Sequence, residues 1–173
     1  LEELEKEGLH LAKYDQTYSN VGAVVGNVVS QYRIWKMIAE GSTPAIILEH
    51  DAVFVGEVPN LKNQGNIINL GKPSYGKYNI KESPGTYPMF SKPGGYIPGA
   101  HGYYVTPTGA WRLVNTVKKL GASPVDMFLN NKYFPDIKEI YPWVIEAHDT
   151  FSTIQKEKGC TAKHNFGNDY EII

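Results

Sequence analysis

At 173 residues the chain is long enough for a single domain with a sizeable core. Its 17 Lys and Arg against 18 Asp and Glu give a formal charge of -1, which leaves no basic footprint for a nucleic-acid partner, and no apolar run reaches the ~18 residues of a membrane span. One cysteine, Cys160, rules out an internal disulfide and fits a reducing compartment, so the expectation is a cytoplasmic protein.

The opening, LEELEKEGLH, is acidic and amphipathic rather than a signal peptide. Its apolar positions Leu1, Leu4, Leu9 and Leu11 predict a short helix over 1–14, followed by a polar connection over 15–20. From 21 to 40, Val25, Val28, Val29, Tyr32, Trp35 and Ile38 recur every three or four residues, which predicts an amphipathic helix. Gly22 and Gly26 permit close backbone approach within it, and Gly41 suits the position just past its end.

The stretch 45–55, AIILEHDAVFV, is the most informative. Apolar 45–48 predicts a buried strand, and Glu49-His50-Asp51 must emerge at its end, because unpaired charges are not buried at that depth. Carboxyl ends of strands are where ligands sit in open α/β sheets. In an extended segment, carboxylates two residues apart point to one side, which suits a shared divalent cation. A strand that simply ends in solvated acids satisfies the same pattern.

A second strand is predicted over 66–70, then a long segment over 71–99 broken by Gly and Pro. Tyr75, Tyr78, Tyr87, Phe90 and Tyr96 within it are too many aromatics for plain disorder, and suit either a loop lining a sugar pocket or a loop packed on its own domain. Residues 102–105 predict a third strand. Thr106-Pro107 then starts a helix whose apolar positions are Ala110, Trp111, Val114, Val117 and Leu120, closed by Gly121. Ser123-Pro124 starts a short helix carrying Asp126, where Ser123-x-x-Asp126 also fits a capping box. A last extended segment runs over 137–147 with Pro142 at an edge or bend. The polar tail from 155 holds Cys160 and His164, which as two ligands make no zinc site.

Three stretches together resemble glycosyltransferase family 25, the group of lipopolysaccharide and collagen-type galactosyltransferases. Gly26-Asn27-Val28-Val29-Ser30-Gln31 is similar to the family's Gly-Cys-x-x-Ser-His helix. Leu48-Glu49-His50-Asp51-Ala52 is similar to its Leu-Glu-Asp-Asp-Ala. Gly102-Tyr103 through Gly109-Ala110, then Pro124-Val125-Asp126, is similar to its Ala-Tyr and Gly-Ala segments and its Pro-x-Asp. The likeness spans about residues 19–155 of one domain covering 1–173, with the polar tail over 156–173 outside it.

The resemblance implies an α/β fold of the GT-A type, three-layered around a central mixed sheet. It implies transfer of galactose or glucose, with inversion, from a uridine diphosphate donor to a glycan acceptor, assisted by Mn2+ or Mg2+. Glu49 and Asp51 would be the metal-side carboxylates, with His148 the third ligand and His101 its substitute. Asp126 would be the base or orient the acceptor, and Ser30, Gln31 and His50 would meet the donor. Two departures stand out: His50 replaces the family's central aspartate, and Gln31 its helix histidine. The family's opening apolar strand has no counterpart before Val21, so the expectation is a fragment or a shortened member. The alternatives are a non-catalytic carbohydrate-binding relative, or an unrelated metal-dependent phosphate enzyme using Glu49 and Asp51.

Overall fold

A computed structural model of the chain describes residues 1–12, 21–74, 76–97, 100–147 and 170–172. Its architecture is mixed α/β around a mixed five-stranded sheet. The sheet contains β1 (Ala45–Leu48), β3 (Ile67–Asn69), β5 (Gly85–Pro88), β6 (Gly102–Val105) and β7 (Lys138–Tyr141). Their order is β1-β6-β3-β7-β5. β6 lies antiparallel to both β1 and β3, β3 parallel to β7, and β7 antiparallel to β5.

One face of the sheet is covered by two helices. The predicted 21–40 helix forms as α2 (Val21–Glu40), and it turns its apolar stripe, Val25, Val28, Tyr32, Trp35 and Ile38, onto the sheet and α3 (Pro107–Leu120). The alternation of strands sends Ile47, Tyr103, Val105 and Ile67 to this face, where Trp35 is fully buried and stacks on Phe128. Thr106 caps α3 as expected: its hydroxyl accepts from Gly109 N–H at 3.1 Å, worth about 1 kcal/mol.

The buried face of α3 differs from its sequence pattern. Leu113 is buried, whereas Trp111 is 62% exposed and Leu120 lies at the surface. The helix turns Gly109, Ala110, Leu113 and Val117 inward because a close approach exists there: a Cβ on Gly109 would sit 2.3 Å from Asn66 carbonyl oxygen. Gly26 departs from expectation in the opposite sense, since nothing lies within 4 Å of a Cβ there.

The opposite face of the sheet is built from Ile68, Leu70, Tyr104 and Ile140, with Leu61, Val144 and Ile145 packed on them. A small two-stranded sheet, β2 (Ala52–Phe54) antiparallel to β8 (Ile145–Ala147), lies beside them. The predicted 137–147 segment is therefore two strands in two sheets, divided around Pro142, which has no N–H to continue a ladder.

The segment over 71–99 holds two strands that composition did not announce, β4 (Tyr78–Ile80) and β5. β4 pairs in parallel with β9 (Tyr170–Ile172). Tyr78, Tyr87 and Phe90 pack edge-on or stacked within one aromatic cluster that also holds Tyr141 and Trp143. Among the described residues 1–12, α1 (Glu2–Lys6) is the helical part, and Glu7 clamps it to α2 through Arg33 and Lys36, at 2.6 Å each. Tyr75, His148, Cys160 and His164 lie outside the described residues.

Candidate active site

The antiparallel ladder of β1 and β6 runs one residue past the strand: Glu49 N–H donates to His101 C=O at 3.0 Å. The chain then turns at once, with Ala52 N–H on Glu49 C=O at 3.1 Å, to carry β2 into the small sheet. Glu49-His50-Asp51 is thus a turn and not the extended triplet that its spacing suggested. The turn is forced by the change of sheet between Leu48 and Ala52.

Glu49 is half-buried at this corner, and its Oε1 accepts from Asn27 Nδ2 of α2 at 3.1 Å. Burial pushes its carboxyl above the usual carboxylate range, and the charges of Asp51 and Asp126 push it the same way, against the Asn27 bond. Asp51 has one carboxylate oxygen, Oδ1, buried without a hydrogen-bond donor. Glu49 therefore feels two further acids, one two residues along the chain and the other arriving from α4 (Val125–Phe128).

Asp126 does not form the capping box. The N-cap position of α4 is Pro124, which has no N–H to receive a side chain, and the Asp126 carboxylate instead accepts from Met127 N–H at 2.9 Å.

His101 sits directly behind the turn. Its side chain is 2% exposed, and burial lowers its pKa while the charge of Asp51 opposes the shift. Its Nε2 has no hydrogen-bond partner. Gly71 makes room for the ring, since a Cβ there would lie 2.6 Å from that nitrogen.

The expected donor residues are divided. Ser30 and His50 are exposed, whereas Gln31 is buried and its Oε1 accepts from Tyr103 OH at 2.7 Å. Trp35 Nε1 donates to the same hydroxyl at 2.7 Å, so Gln31 supports the helix–sheet contact. Asn27 is the residue that sequence reasoning left without a role. Its only local signal is an asparagine inside a helix, where its propensity is poor. His148 lies outside the described residues, but β8 ends with Ala147 opposite Ala52, the residue after Asp51. Among the described residues, no group of three His, Cys, Asp or Glu is arranged to hold a metal ion.

A second buried acid, Glu139, has a different character. It is fully buried in β7 and its two oxygens accept four hydrogen bonds, from Asn69 Nδ2, Trp143 Nε1, Phe90 N–H and Ser91 N–H, at 2.8 to 3.2 Å. A carboxylate with its acceptor sites filled by fixed donors holds strands together and has nothing left for a ligand. No protein-family model and no curated protein matches the sequence.

Proposed function

We propose that the chain is a metal-assisted hexosyltransferase using a uridine diphosphate sugar, with its site at the carboxyl end of β1. The observation that carries this reading is that Glu49 is desolvated at the end of β1, two residues from Asp51, whose Oδ1 is buried without a donor, and that the charge of Asp126 from a distant segment reaches Glu49. Desolvating one carboxylate near others raises the free energy of the folded protein, which a bound cation, or a proton on Glu49, would relieve.

The orphaned Asp51 oxygen is a hard donor that would suit Mn2+ or Mg2+, and among the described residues no third ligand is grouped with it, so the set would need one from elsewhere. Glu49 and Asp51 would hold the ion, with a histidine after β8, His148, as the further ligand. Bound there, the ion would stabilise the charge that grows on a departing diphosphate. Asn27 orients Glu49. Ser30 and His50, exposed nearby in the chain, would meet the donor, and Gln31 would set the position of α2 from inside the core. Asp126 would take the proton of the acceptor hydroxyl as that oxygen attacks the sugar, the role of a general base in an inverting transfer.

Thermal unfolding in the presence of uridine diphosphate, with and without Mn2+, tests the reading. Stabilisation that requires the metal and is lost in Asp51→Asn supports a diphosphate on this corner, because a ligand of the native state raises stability by mass action. An absence of any shift from the folded protein at millimolar nucleotide refutes a donor site in this chain. Nucleotide binding without transfer to any glycan would favour the non-catalytic carbohydrate-binding alternative.

A further inference from the structure

One edge of the main sheet is built like an interior strand. Directly opposed residues in an antiparallel pair alternate between bonded and non-bonded. Glu49 and His101 are bonded through Glu49 N–H, so Ile47↔Tyr103 and Ala45↔Val105 are the bonded pairs of the β1–β6 ladder. The N–H and C=O groups of Ile46 and Leu48 therefore point away from β6, and among the described residues no strand pairs with them. Edge strands in stable monomers are blunted by lysine, proline, bulges or inward charge. β1 reads Ala-Ile-Ile-Leu in unbroken register and has none of these.

Both flanks of this edge are largely apolar. On the helix side, Asn27 fixes its stripe of α2 beside the end of β1. Ile34, seven residues on, continues that stripe, and Met37 lies next to it. Met37 is 72% exposed, and Ile34 is exposed beside it. On the other face, Pro44, Ile46, Val58, Leu61 and Tyr104 line an open groove of about 510 Å3, which Asn60 and Lys62 also border. Leu48 itself is 42% exposed at the end of the strand.

We propose that this edge is an interface between two copies of the chain, in which β1 pairs antiparallel with β1 of a second copy and the two five-stranded sheets become one. With the twofold axis at Ile47, Ile46 of each copy meets Leu48 of the other, and the outward N–H and C=O groups of both residues bond reciprocally, as an isologous contact requires. A second copy is the occupant because an antiparallel pair of identical strands is self-complementary in its backbone. The charge pattern on the helix flank agrees: the stripe carrying Ser30, Ile34 and Met37 is uncharged, so no like charges oppose there, and a formal charge of -1 gives little repulsion between copies. The Ile34 and Met37 flanks pack against each other across that axis, which removes them from water.

Light scattering after size exclusion, over a range of protein concentration, reads the mass, and hydrogen exchange reads the amides of Ile46 and Leu48. The expected result is a dimer at high concentration, with both amides protected there and exchanging quickly on dilution. Ile46→Pro removes an outward N–H at a position where an edge strand accepts proline, and with it the Ile46 side chain that packs on the core of that face. Met37→Glu places a charge on an exposed side chain and leaves the core untouched. Each is expected to weaken dimerisation about tenfold or more, a change of ~1.4 kcal/mol or above. Should Ile46→Pro disturb the fold, Met37→Glu decides by itself. A wild-type protein that stays monomeric throughout overturns the proposal, as does a dimer that survives Met37→Glu or leaves the two amides unprotected.

Discussion

Glutamine in place of Glu139 would keep the volume of the side chain and remove one acceptor oxygen from the middle of the fold. In the wild type, Oε1 serves Asn69 Nδ2 and Trp143 Nε1, while Oε2 serves the N–H groups of Phe90 and Ser91. An amide has one oxygen, so whichever way it sits, one of these pairs of donors faces an NH2 group. The better choice leaves Asn69 and Trp143 on the oxygen, and Asn69 Nδ2 also keeps its bond to Gly71 C=O at 2.9 Å. Two buried N–H groups, those of Phe90 and Ser91, then lose their acceptor. A donor orphaned in the interior costs about 1–3 kcal/mol, which sums to roughly 2–6 kcal/mol for Glu139→Gln. Against a typical total of ~5–15 kcal/mol that is a large share of the stability. Urea unfolding followed by tryptophan fluorescence measures it, and comparison with Trp143→Phe, which removes one donor from the other oxygen, separates the two sides of the carboxylate. A loss below about 1 kcal/mol would show that the Glu139 network is replaceable by water, and would refute the reasoning.

Two further outcomes follow from the same kind of accounting. Tyr103→Phe deletes the hydroxyl that joins Gln31 and Trp35 and strands two buried partners, so a loss of about 2–4 kcal/mol is expected in the same urea assay, and an unchanged midpoint would exclude that role. Glu49→Gln tests the strained corner through pH, in buffer with a chelator. The native Glu49 carboxyl is raised above its usual value of 4.5 by burial, so the folded protein holds that proton more tightly than the unfolded chain. Its contribution to stability is present below that value and lost as pH rises through the raised native pKa. Glutamine, which does not ionise, escapes the loss. The variant should therefore unfold at a higher temperature than wild type at neutral pH, with the gap closing toward pH 4. A variant less stable than wild type at neutral pH would contradict a desolvated Glu49.

What was legible in the sequence was local. The 3.6-residue recurrence from Val25 to Ile38 defines α2, because a helix that buries one face must repeat in that way. Thr106-Pro107 announces α3 because the capping hydroxyl and the fixed proline φ act within a few residues. The apolar run before Glu49 marks β1 because charge cannot follow a strand into the core. What the tertiary structure decided depends on which segments meet. β4 and β5 were hidden in a Gly- and Pro-rich stretch, since their pairing partners, β9 and β7, lie far along the chain. Trp111 is outward and Leu113 inward because Gly109 must face Asn66, a contact that no helical pattern encodes. Gln31 left the site for the core because Tyr103 waited there, and Asn27 entered it because the turn of α2 aims it at Glu49. The acids at the end of β1 were named by their spacing, but only the fold brings Asp126 close enough to Glu49 for its charge to be felt, since electrostatic coupling falls with distance in space and takes no account of separation along the chain.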